Sequence, residues 1–245
     1  MSDSKKTLPV PGLCFEVDGC AAFLIEPEDR TAKAPWVWYA PTLPPYPDQN
    51  ERWMFERFLE AGIAIAGIDV GESYGSPAGH AHFTSLHTHM TTMGFRKRPA
   101  LLPRSRGGLM HYAWAAENPE AVACVAGIYP VCNLFSYPGL EEASGAYGVT
   151  PEQLEAEIEQ HNPIDRLEPL AAAGVPIYHV QGDEDEPVPL EANSQVLAER
   201  YRALDGDVTL NIAHGQGHSV WDGFFQCQPL VDFVITHLSA DKENR

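Results

Sequence analysis

The sequence predicts an α/β fold with an open, mostly parallel sheet of about eight strands flanked by helices. Short apolar runs alternate with amphipathic segments along the 245 residues, which is typical of parallel strands linked by helices. One run, residues 63–70, is apolar at every position except Asp69, as expected for a strand covered on both faces. The chain has no internal repeat or low-complexity tract. Its length fits one large domain or two small ones, and we predict a single domain over residues 1–245.

The predicted strands are short apolar runs bounded by turn residues. The first two flank a Val-Asp-Gly turn and are predicted to pair as a hairpin, and the third ends at Pro41, which cannot continue a ladder. In chain order, the predicted strands are residues 13–16, 21–25, 36–40, 63–70, 100–103, 121–129, 176–180 and 208–213.

The predicted helices show an apolar stripe or a start or stop signal. The first places Met54, Phe55 and Phe58 on one face and stops at Gly62. The fourth begins at Thr150 as the cap, with a proline in its first turn. In chain order, the predicted helices are residues 50–61, 78–93, 107–116, 150–160, 189–204 and 221–238. The rest of 133–162 looks irregular, and we interpret that segment as a small lid.

The charge balance excludes several classes of function. The chain has 34 acidic and 16 basic side chains, a net charge of −18. Proteins that bind nucleic acid or anionic membranes need a basic face, so we expect neither partner. No apolar run is long enough to span a bilayer. The first residues lack the apolar core of a signal peptide, which predicts a cytoplasmic location.

The five cysteines also predict a reducing compartment, because their number is odd and no pair has the spacing of a zinc knuckle. A disulfide between Cys14 and Cys20 across the first hairpin is the alternative. The sequence carries no signal for an oligomeric state.

The sharpest signal for chemistry is Ser105, which lies where a predicted strand runs directly into a predicted helix. Such a corner lifts the hydroxyl out of the sheet and aims the backbone N–H of Arg106 at the oxygen of a bound carbonyl. Gly107 and Gly108 would let the helix pack close to the strand. The alternative reading is a serine that only caps the helix.

An acid and a base follow later strands of the same sheet. The acidic loop after residues 176–180 offers Asp185, with Asp183 as second choice, to hold an imidazole by its Nδ1–H. Alternatively, the acidic residues of this loop only form a turn and cap the helix that follows. After the last strand, His218 is preferred over His214, which suits a structural role at the strand end. Since sites in parallel sheets form beyond the carboxyl ends of the strands, we expect the three groups to meet at one edge.

This combination resembles the α/β-hydrolase superfamily, and within it the dienelactone-hydrolase and prolyl-oligopeptidase-like serine hydrolases, over almost the whole chain. The elbow G-x-S-x-G corresponds to residues 103–107, with Pro103 where the family usually has glycine. The acid motif H-G-x-x-D-x-x-V-P corresponds to residues 181–189, with Gln181 in place of histidine. The base motif G-x-G-H is residues 215–218.

The resemblance implies a role for each of these positions and no metal or organic cofactor. Ser105 would be the nucleophile, Asp185 the orienting acid and His218 the general base. The oxyanion hole would be formed by the N–H of Arg106 and one further N–H, from Thr42 or Leu43.

Several other residues are candidates for substrate binding. Arg104 and Arg106 flank the serine, and a guanidinium there could bind a substrate carboxylate; glucuronoyl esterases have a similarly placed arginine. Pairing of these arginines with Glu72 or another carboxylate is the alternative. Glu72 and Tyr74 follow a strand, Trp221 follows the base motif, and all three are predicted to contact substrate.

Four histidines, at positions 80, 82, 87 and 89, are predicted to make a polar helix face near the substrate mouth. Their spacing does not suit zinc, which needs three or four converging ligands.

These features predict a serine hydrolase that cleaves a carboxylic ester, with a small-molecule or carbohydrate ester such as an acylated sugar or a uronate ester as substrate. The first alternative is a serine peptidase for short peptides. The second is a binding protein that keeps the fold without activity, for which Pro103 is the support.

Overall fold

The computed structural model describes residues 6–240, and the expectation about the first residues of the chain lies partly outside that range. The strands of the described part are β1 Leu13–Val17, β2 Cys20–Ile25, β3 Trp36–Ala40, β4 Ala64–Ile68, β5 Ala100–Pro103, β6 Cys124–Ile128, β7 Ile177–Gly182 and β8 Val208–Ala213. The α-helices are α1 Arg52–Glu60, α2 Pro77–Thr92, α3 Gly107–Glu117, α4 Leu140–Tyr147, α5 Pro151–Ala156, α6 Glu168–Ala172, α7 Val196–Ala203, α8 Asp222–Phe225 and α9 Gln228–Ala240.

The strands of residues 6–240 form one eight-stranded sheet in the order β1-β2-β4-β3-β5-β6-β7-β8. Only β2 runs against its neighbours; it pairs antiparallel with β1 and β4. From β4 to β8 every pairing is parallel. The predicted α/β class and its mostly parallel sheet are therefore confirmed.

The central strands are covered on both faces, which explains their continuous apolar character. In β3, Trp36 and Trp38 pack with α2 and α3 on one face, whereas Val37 and Tyr39 pack with α1 and α9 on the other. Successive side chains of a strand point to opposite faces, so a strand between two helical layers needs apolar residues at every position. Because their pairings are parallel, the carboxyl ends of β3, β5, β6, β7 and β8 lie at one edge of the sheet.

The predicted closing helix over residues 221–238 is wrong as a single element, because the structure breaks it into α8 and α9. Gln226 ends α8, and α9 starts at Gln228 with Pro229 in its first turn. Proline fits a first turn, where its missing N–H has no partner to lose, and it disrupts a helix interior. The break lets Phe224 and Phe225 both point into the core. The predicted helix over 189–204 likewise begins with a π-helical turn, Glu191–Gln195, before α7.

The segment 133–162, interpreted as a lid, is more regular than its composition suggested. It contains α4, which was not predicted, and α5, which is shorter than the predicted helix. Thr150 does cap α5: its Oγ1 accepts from Gln153 N at 3.3 Å, and its own N–H donates to the Gln153 side chain at 2.9 Å. Leu134, Ala143 and Leu154 build a small separate core here. The segment is thus a packed cover for one side of the sheet edge.

Two further expectations concern residues across the whole described chain. Among residues 6–240, no helix combines the length and the apolar character needed to cross a bilayer. None of the five cysteines, all of which lie within residues 6–240, forms a disulfide. Cys14 lies opposite Phe23 and Cys20 lies opposite Val17 in the first hairpin, so the two thiols do not face each other.

Candidate active site

Ser105 occupies a sharp turn between β5 and α3, as predicted. Its backbone φ is +51°, a left-handed conformation that non-glycine residues adopt mainly where function or packing requires it. Its N–H donates to Ile128 O at 3.0 Å, and its carbonyl accepts from Val131 N at 2.8 Å. The corner is therefore fixed to the end of β6, with the hydroxyl on the outside.

The glycines after the serine are needed for close packing of α3. A Cβ at Gly107 would collide with the backbone of Ala40, and one at Gly108 with the backbone of Val131. The amino-terminal end of α3 therefore lies directly against the ends of β3 and β6.

Pro103 fits this elbow because of a gap in the sheet. The pairing of β5 with β6 covers Ala100 and Leu101 and resumes only at Arg104, opposite Ile128. Proline lacks a backbone donor, and here the missing donor falls in the interrupted part of the ladder. On the β3 side, Arg104 N still donates to Ala40 O at 2.8 Å.

The structure brings Ser105, His218 and Asp185 into one hydrogen-bonded chain. Ser105 Oγ lies 2.9 Å from His218 Nε2, and His218 Nδ1 lies 2.8 Å from Asp185 Oδ2. An ionised carboxylate only accepts, so Nδ1 carries the proton and the neutral Nε2 accepts from the serine hydroxyl. This is the arrangement in which imidazole can take a proton from a hydroxyl.

Asp185 is held by its own loop. Its side chain is fully buried, and its second oxygen, Oδ1, accepts from Val188 N at 2.8 Å. Gln181, which stands where the resembling family has histidine, closes the same loop by donating to Val188 O at 2.5 Å. The carboxylate is thus presented to His218 in a single orientation.

The loops that carry the acid and the base are bonded to each other. Glu184 N donates to Gln216 O at 3.0 Å, and a Cβ at Gly182 would collide with that same carbonyl. His218 is then supported from the β6 side by Tyr129, whose ring centroid lies 4.4 Å from the imidazole centroid. The second choices, Asp183 and His214, pair with each other at 2.7 Å on the exposed side of these loops.

The predicted oxyanion donors come from two places, the start of α3 and the segment after β3. Arg106 immediately precedes α3, so its N–H belongs to the positive end of that helix. Thr42 and Leu43 are buried beside the end of β3, and the Thr42 hydroxyl donates to Tyr39 O at 3.2 Å. Pro41, which has no N–H, is the residue of this segment that lines the cavity. A second donor from Thr42 or Leu43 stays a prediction.

Arg104 is buried beneath the elbow in an ion pair that sequence reasoning did not identify. Its Nη1 lies 2.6 Å from Glu51 Oε1 and 3.4 Å from Asp48 Oδ2. Burial alone would lower the pKa of Arg104, but Tyr39 and Glu51 raise it above its ordinary value. Burial raises the pKa of Glu51, and Arg104 opposes that rise. Of the two roles considered for Arg104, binding a substrate carboxylate or pairing with a carboxylate of the protein, the structure shows the second, with Glu51 as the partner.

Arg106 has an ion pair of a more exposed kind. Its Nη1 lies 3.0 Å from Glu72 Oε1 and donates to the Tyr137 hydroxyl at 3.3 Å. The side chains of Arg106 and Glu72 keep 25% and 41% of their surface exposed, so the pair can open toward solvent. Burial raises the pKa of Glu72, and Arg106 opposes that rise.

The other predicted substrate contacts lie outside the cavity wall. Tyr74 is buried under the segment 133–162, with its carbonyl accepting from the Tyr147 hydroxyl at 2.9 Å. Trp221 is exposed and packs edge-on against Phe224. The histidines of α2 do not line the cavity either: His82 pairs with Asp18, and His80 with Glu117. Among the described residues, no group of three metal-ligating side chains converges.

The serine opens into a cavity of about 340 Å³. Two arginines and no carboxylate line it among residues 6–240, in a chain with a net charge of −18. Its aromatic wall includes Tyr46 and Tyr129, and neither was a sequence candidate. The lining residues are Pro41, Tyr46, Arg104, Ser105, Arg106, Tyr129, Tyr137, Pro187, Val188, His218, Ser219 and Val220.

The sheet order and the serine at its elbow define the class of the protein, a serine hydrolase with the α/β-hydrolase fold. A family model described as the prolyl oligopeptidase family matches residues 91–238, which include the elbow, the acid loop and the base loop. The chain belongs to the prolyl oligopeptidase family. No curated protein matches the chain significantly.

Solved structures share the fold at low sequence identity. A puromycin-hydrolysing peptidase of Mycobacterium tuberculosis has a TM-score of 0.71 and 16% identity; the match covers 93% of this chain and 40% of that one. Est1E of Butyrivibrio proteoclasticus has a TM-score of 0.70 and 16% identity, with coverage of 93% and 99%. An S-formylglutathione hydrolase of Agrobacterium tumefaciens has a TM-score of 0.70 and 17% identity, with coverage of 93% and 93%. The chain thus spans less than half of the peptidase.

Proposed function

We propose that this protein hydrolyses a carboxylic ester through an acyl-enzyme intermediate, with Ser105 as nucleophile, His218 as general base and Asp185 as orienting acid. The observation that carries the proposal is the chain of contacts from Ser105 Oγ to His218 Nε2, at 2.9 Å, and from His218 Nδ1 to Asp185 Oδ2, at 2.8 Å. The left-handed backbone of Ser105 supports it, because that conformation projects the hydroxyl into the cavity.

In the first half of the reaction, Ser105 Oγ bonds to the ester carbonyl carbon while its proton moves to His218 Nε2. The carbonyl oxygen becomes an oxyanion, which the N–H of Arg106 at the start of α3 is placed to stabilise. The bond to the alcohol oxygen then breaks, and His218 returns its proton to that oxygen. In the second half, water repeats the sequence on the acyl-enzyme and releases the acid.

Asp185 contributes by fixing the imidazole. Its buried carboxylate holds Nδ1–H, so the free Nε2 faces the serine, and it stabilises the imidazolium that forms during each proton transfer.

The charges around the cavity favour an ester over a short peptide with a free amino group. Its wall contains two arginines and no carboxylate among the described residues, so a substrate ammonium would have no counter-charge there. A substrate carboxylate could instead bind Arg106 if that side chain left Glu72. Within the predicted class of carbohydrate esters, acylated sugars and uronate esters, this supports substrates that keep a free carboxylate besides the ester that is cleaved.

A peptidase acting on short peptides is the second candidate. Membership of the prolyl oligopeptidase family favours it, as does the structural similarity to a puromycin-hydrolysing peptidase. Turnover of aminoacyl p-nitroanilides, set against turnover of acetylated sugars and uronate methyl esters, decides between the two candidates.

The central test compares Ser105→Ala with the wild type on p-nitrophenyl acetate. We expect kcat to fall at least about a thousandfold, since the nucleophile is lost while the binding groups remain. Ser85→Ala is the matched control, because Ser85 lies on α2 and contacts Asp18 far from the elbow. Labelling by a fluorophosphonate probe should disappear in the first variant only. Unchanged ester turnover in Ser105→Ala would refute the proposal.

A further inference from the structure

We infer that Glu51 is a positioning residue for the ester hydrolysis proposed above, on which this inference rests: through Arg104 it fixes the elbow and balances a cation that lies behind the base. Glu51 lies in the short 3₁₀ turn Gln49–Glu51 before α1, 54 positions ahead of the serine in sequence. Its side chain is fully buried.

The Glu51 carboxylate accepts hydrogen bonds from three different parts of the chain. Oε1 accepts from the Tyr39 hydroxyl at 2.8 Å and from Arg104 Nη1 at 2.6 Å. Oε2 accepts from Asp48 N at 2.8 Å, which closes a capping box. One buried acid therefore joins the end of β3, the residue before the nucleophile, and the loop that leads into α1. Buried carboxylates are retained only with such compensation.

Arg104 extends this network to the base side of the cavity. Its guanidinium carbon lies 4.6 Å from the ring centroid of Tyr46 and 4.7 Å from that of Phe225 in α8. It also faces Tyr129: burial raises the pKa of Tyr129, and Arg104 opposes that rise. Tyr129 in turn packs on His218. The guanidinium and the imidazole are thus separated by one aromatic ring.

His218 is surrounded by charged and neutral groups from several parts of the chain. Asp185 contacts it from the acid loop, Ser105 is its neutral partner at the elbow, and Tyr129 packs against it from the end of β6. Behind Tyr129 lies Arg104, balanced by Glu51 and, more weakly, by Asp48. Across the cavity, Arg106 is balanced by Glu72. Removing Glu51 therefore leaves the Arg104 cation, on the Tyr129 side of the imidazole, balanced only by the longer contact with Asp48.

The experiment measures kcat/KM for p-nitrophenyl acetate against pH in wild type, Glu51→Gln and Glu56→Gln. Without the Glu51 charge, Arg104 is less fully balanced and disfavours the imidazolium, so the acid limb of Glu51→Gln should move to lower pH by about half to one unit. The plateau should also fall about tenfold through kcat, because the elbow loses its anchor. Glu56→Gln is the matched control: it removes the same charge from α1, where Glu56 pairs with Arg52 at the surface.

Two more variants separate charge from structure. Glu51→Gln combined with Arg104→Met removes both charges and should return the acid limb to its wild-type position. Asp48→Asn, at a partly exposed site, should move the limb in the same direction as Glu51→Gln by a smaller amount, and it provides the test if Glu51→Gln does not fold.

An acid limb that coincides with wild type in both Glu51→Gln and Asp48→Asn would overturn the inference. If Ser105→Ala is inactive in that case, only the role of Glu51 fails. If Ser105→Ala stays active, the proposed function fails, whatever the Glu51 variants do.

Discussion

Two aspartate–histidine pairs lie side by side on the loops that follow β7 and β8. In one, His218 Nδ1 is 2.8 Å from Asp185 Oδ2; in the other, His214 Nδ1 is 2.7 Å from Asp183 Oδ2. The same two residue types, at the same sheet edge and almost the same distance, were the first and second choices for the acid and the base.

The pairs differ in burial and in what lies beyond the imidazole. The side chains of Asp185 and His218 are 0% and 20% exposed, whereas those of Asp183 and His214 are 34% and 83% exposed. His218 reaches Ser105 through its second nitrogen, and His214 has an imidazole open to water. Exposed ion pairs contribute little because water competes for both partners. Contact distance alone therefore does not separate the two pairs, and our proposal that Asp185 and His218 are the catalytic pair rests on burial and on the contact with Ser105.

The largest predicted effect tests this difference directly. Asp185→Asn should reduce kcat for p-nitrophenyl acetate by about 10³–10⁴-fold, because an amide no longer secures the required tautomer or stabilises the imidazolium. Asp183→Asn, the matched change in the exposed pair, should stay within about twofold, since surface substitutions have small effects. Steady-state kinetics of the two purified variants provide the measurement.

Equal losses in the two variants would show that the pairs act together. In that case burial would not be what distinguishes them, and the assignment of Asp185 as the orienting acid would have to be abandoned.

The second prediction concerns Gly182, whose substitution should disturb both aspartate–histidine pairs at once. Gly182 ends β7 where the two loops meet, and a Cβ there would collide with the backbone carbonyl of Gln216. Gly182→Ala should therefore push the base loop away from the acid loop and lower kcat by about a hundredfold, as ångström-scale misplacement of reacting groups does. Gly145→Ala is the control, because nothing lies within 4 Å of a Cβ at that helical position. If Gly182→Ala keeps full activity, the loops tolerate separation and the cross-loop contacts do not position His218.

The features of the candidate site that depend on residues close together in the chain could be predicted from the sequence. A serine between an apolar run and two glycines, and an acid and a base after later strands, are patterns within a few residues, and the parallel sheet converts them into proximity. Glu51 was missed because its contact with Arg104 joins residues 53 positions apart, with no local pattern to mark it. Nothing in the sequence distinguishes Arg104 from Arg106. Only in the folded structure is Arg104 buried and Arg106 left partly exposed at the mouth of the cavity.

The errors in secondary structure had a different origin. The break between α8 and α9 had a local signal in Pro229, which the apolar periodicity of residues 221–238 outweighed. The helix α4 has glycine before it, glycine inside it and glycine after it, and these favoured a loop. Its stability comes from packing of Ala143 against Leu134 and Leu154, a tertiary effect that propensity does not contain.

The smallest predicted effect concerns a histidine that is neither paired like His218 nor exposed like His214. His111 on α3 is fully buried between Trp38 and Phe83, and neither ring nitrogen has a hydrogen-bond partner among the described residues. Burial lowers its pKa to about 3. Between that value and the ordinary one near 6.5, the unfolded chain binds a proton that the folded chain does not, so the stability that depends on neutral His111 is lost as the pH falls through this window.

Replacing this imidazole with an apolar ring should remove that dependence on pH. Acidification from pH 7 to pH 5 should cost the wild type about 2 kcal/mol more than His111→Phe, measured as the free energy of unfolding in urea at the two pH values. His214→Gln is the matched control: it removes an imidazole whose side chain is 83% exposed, and it should lose as much stability on acidification as the wild type, since surface substitutions have small effects. A His111→Phe variant that weakens with acid as steeply as the wild type would mean that His111 takes up its proton in the folded protein, and the contrast between exposed and buried histidines would then not govern their charge.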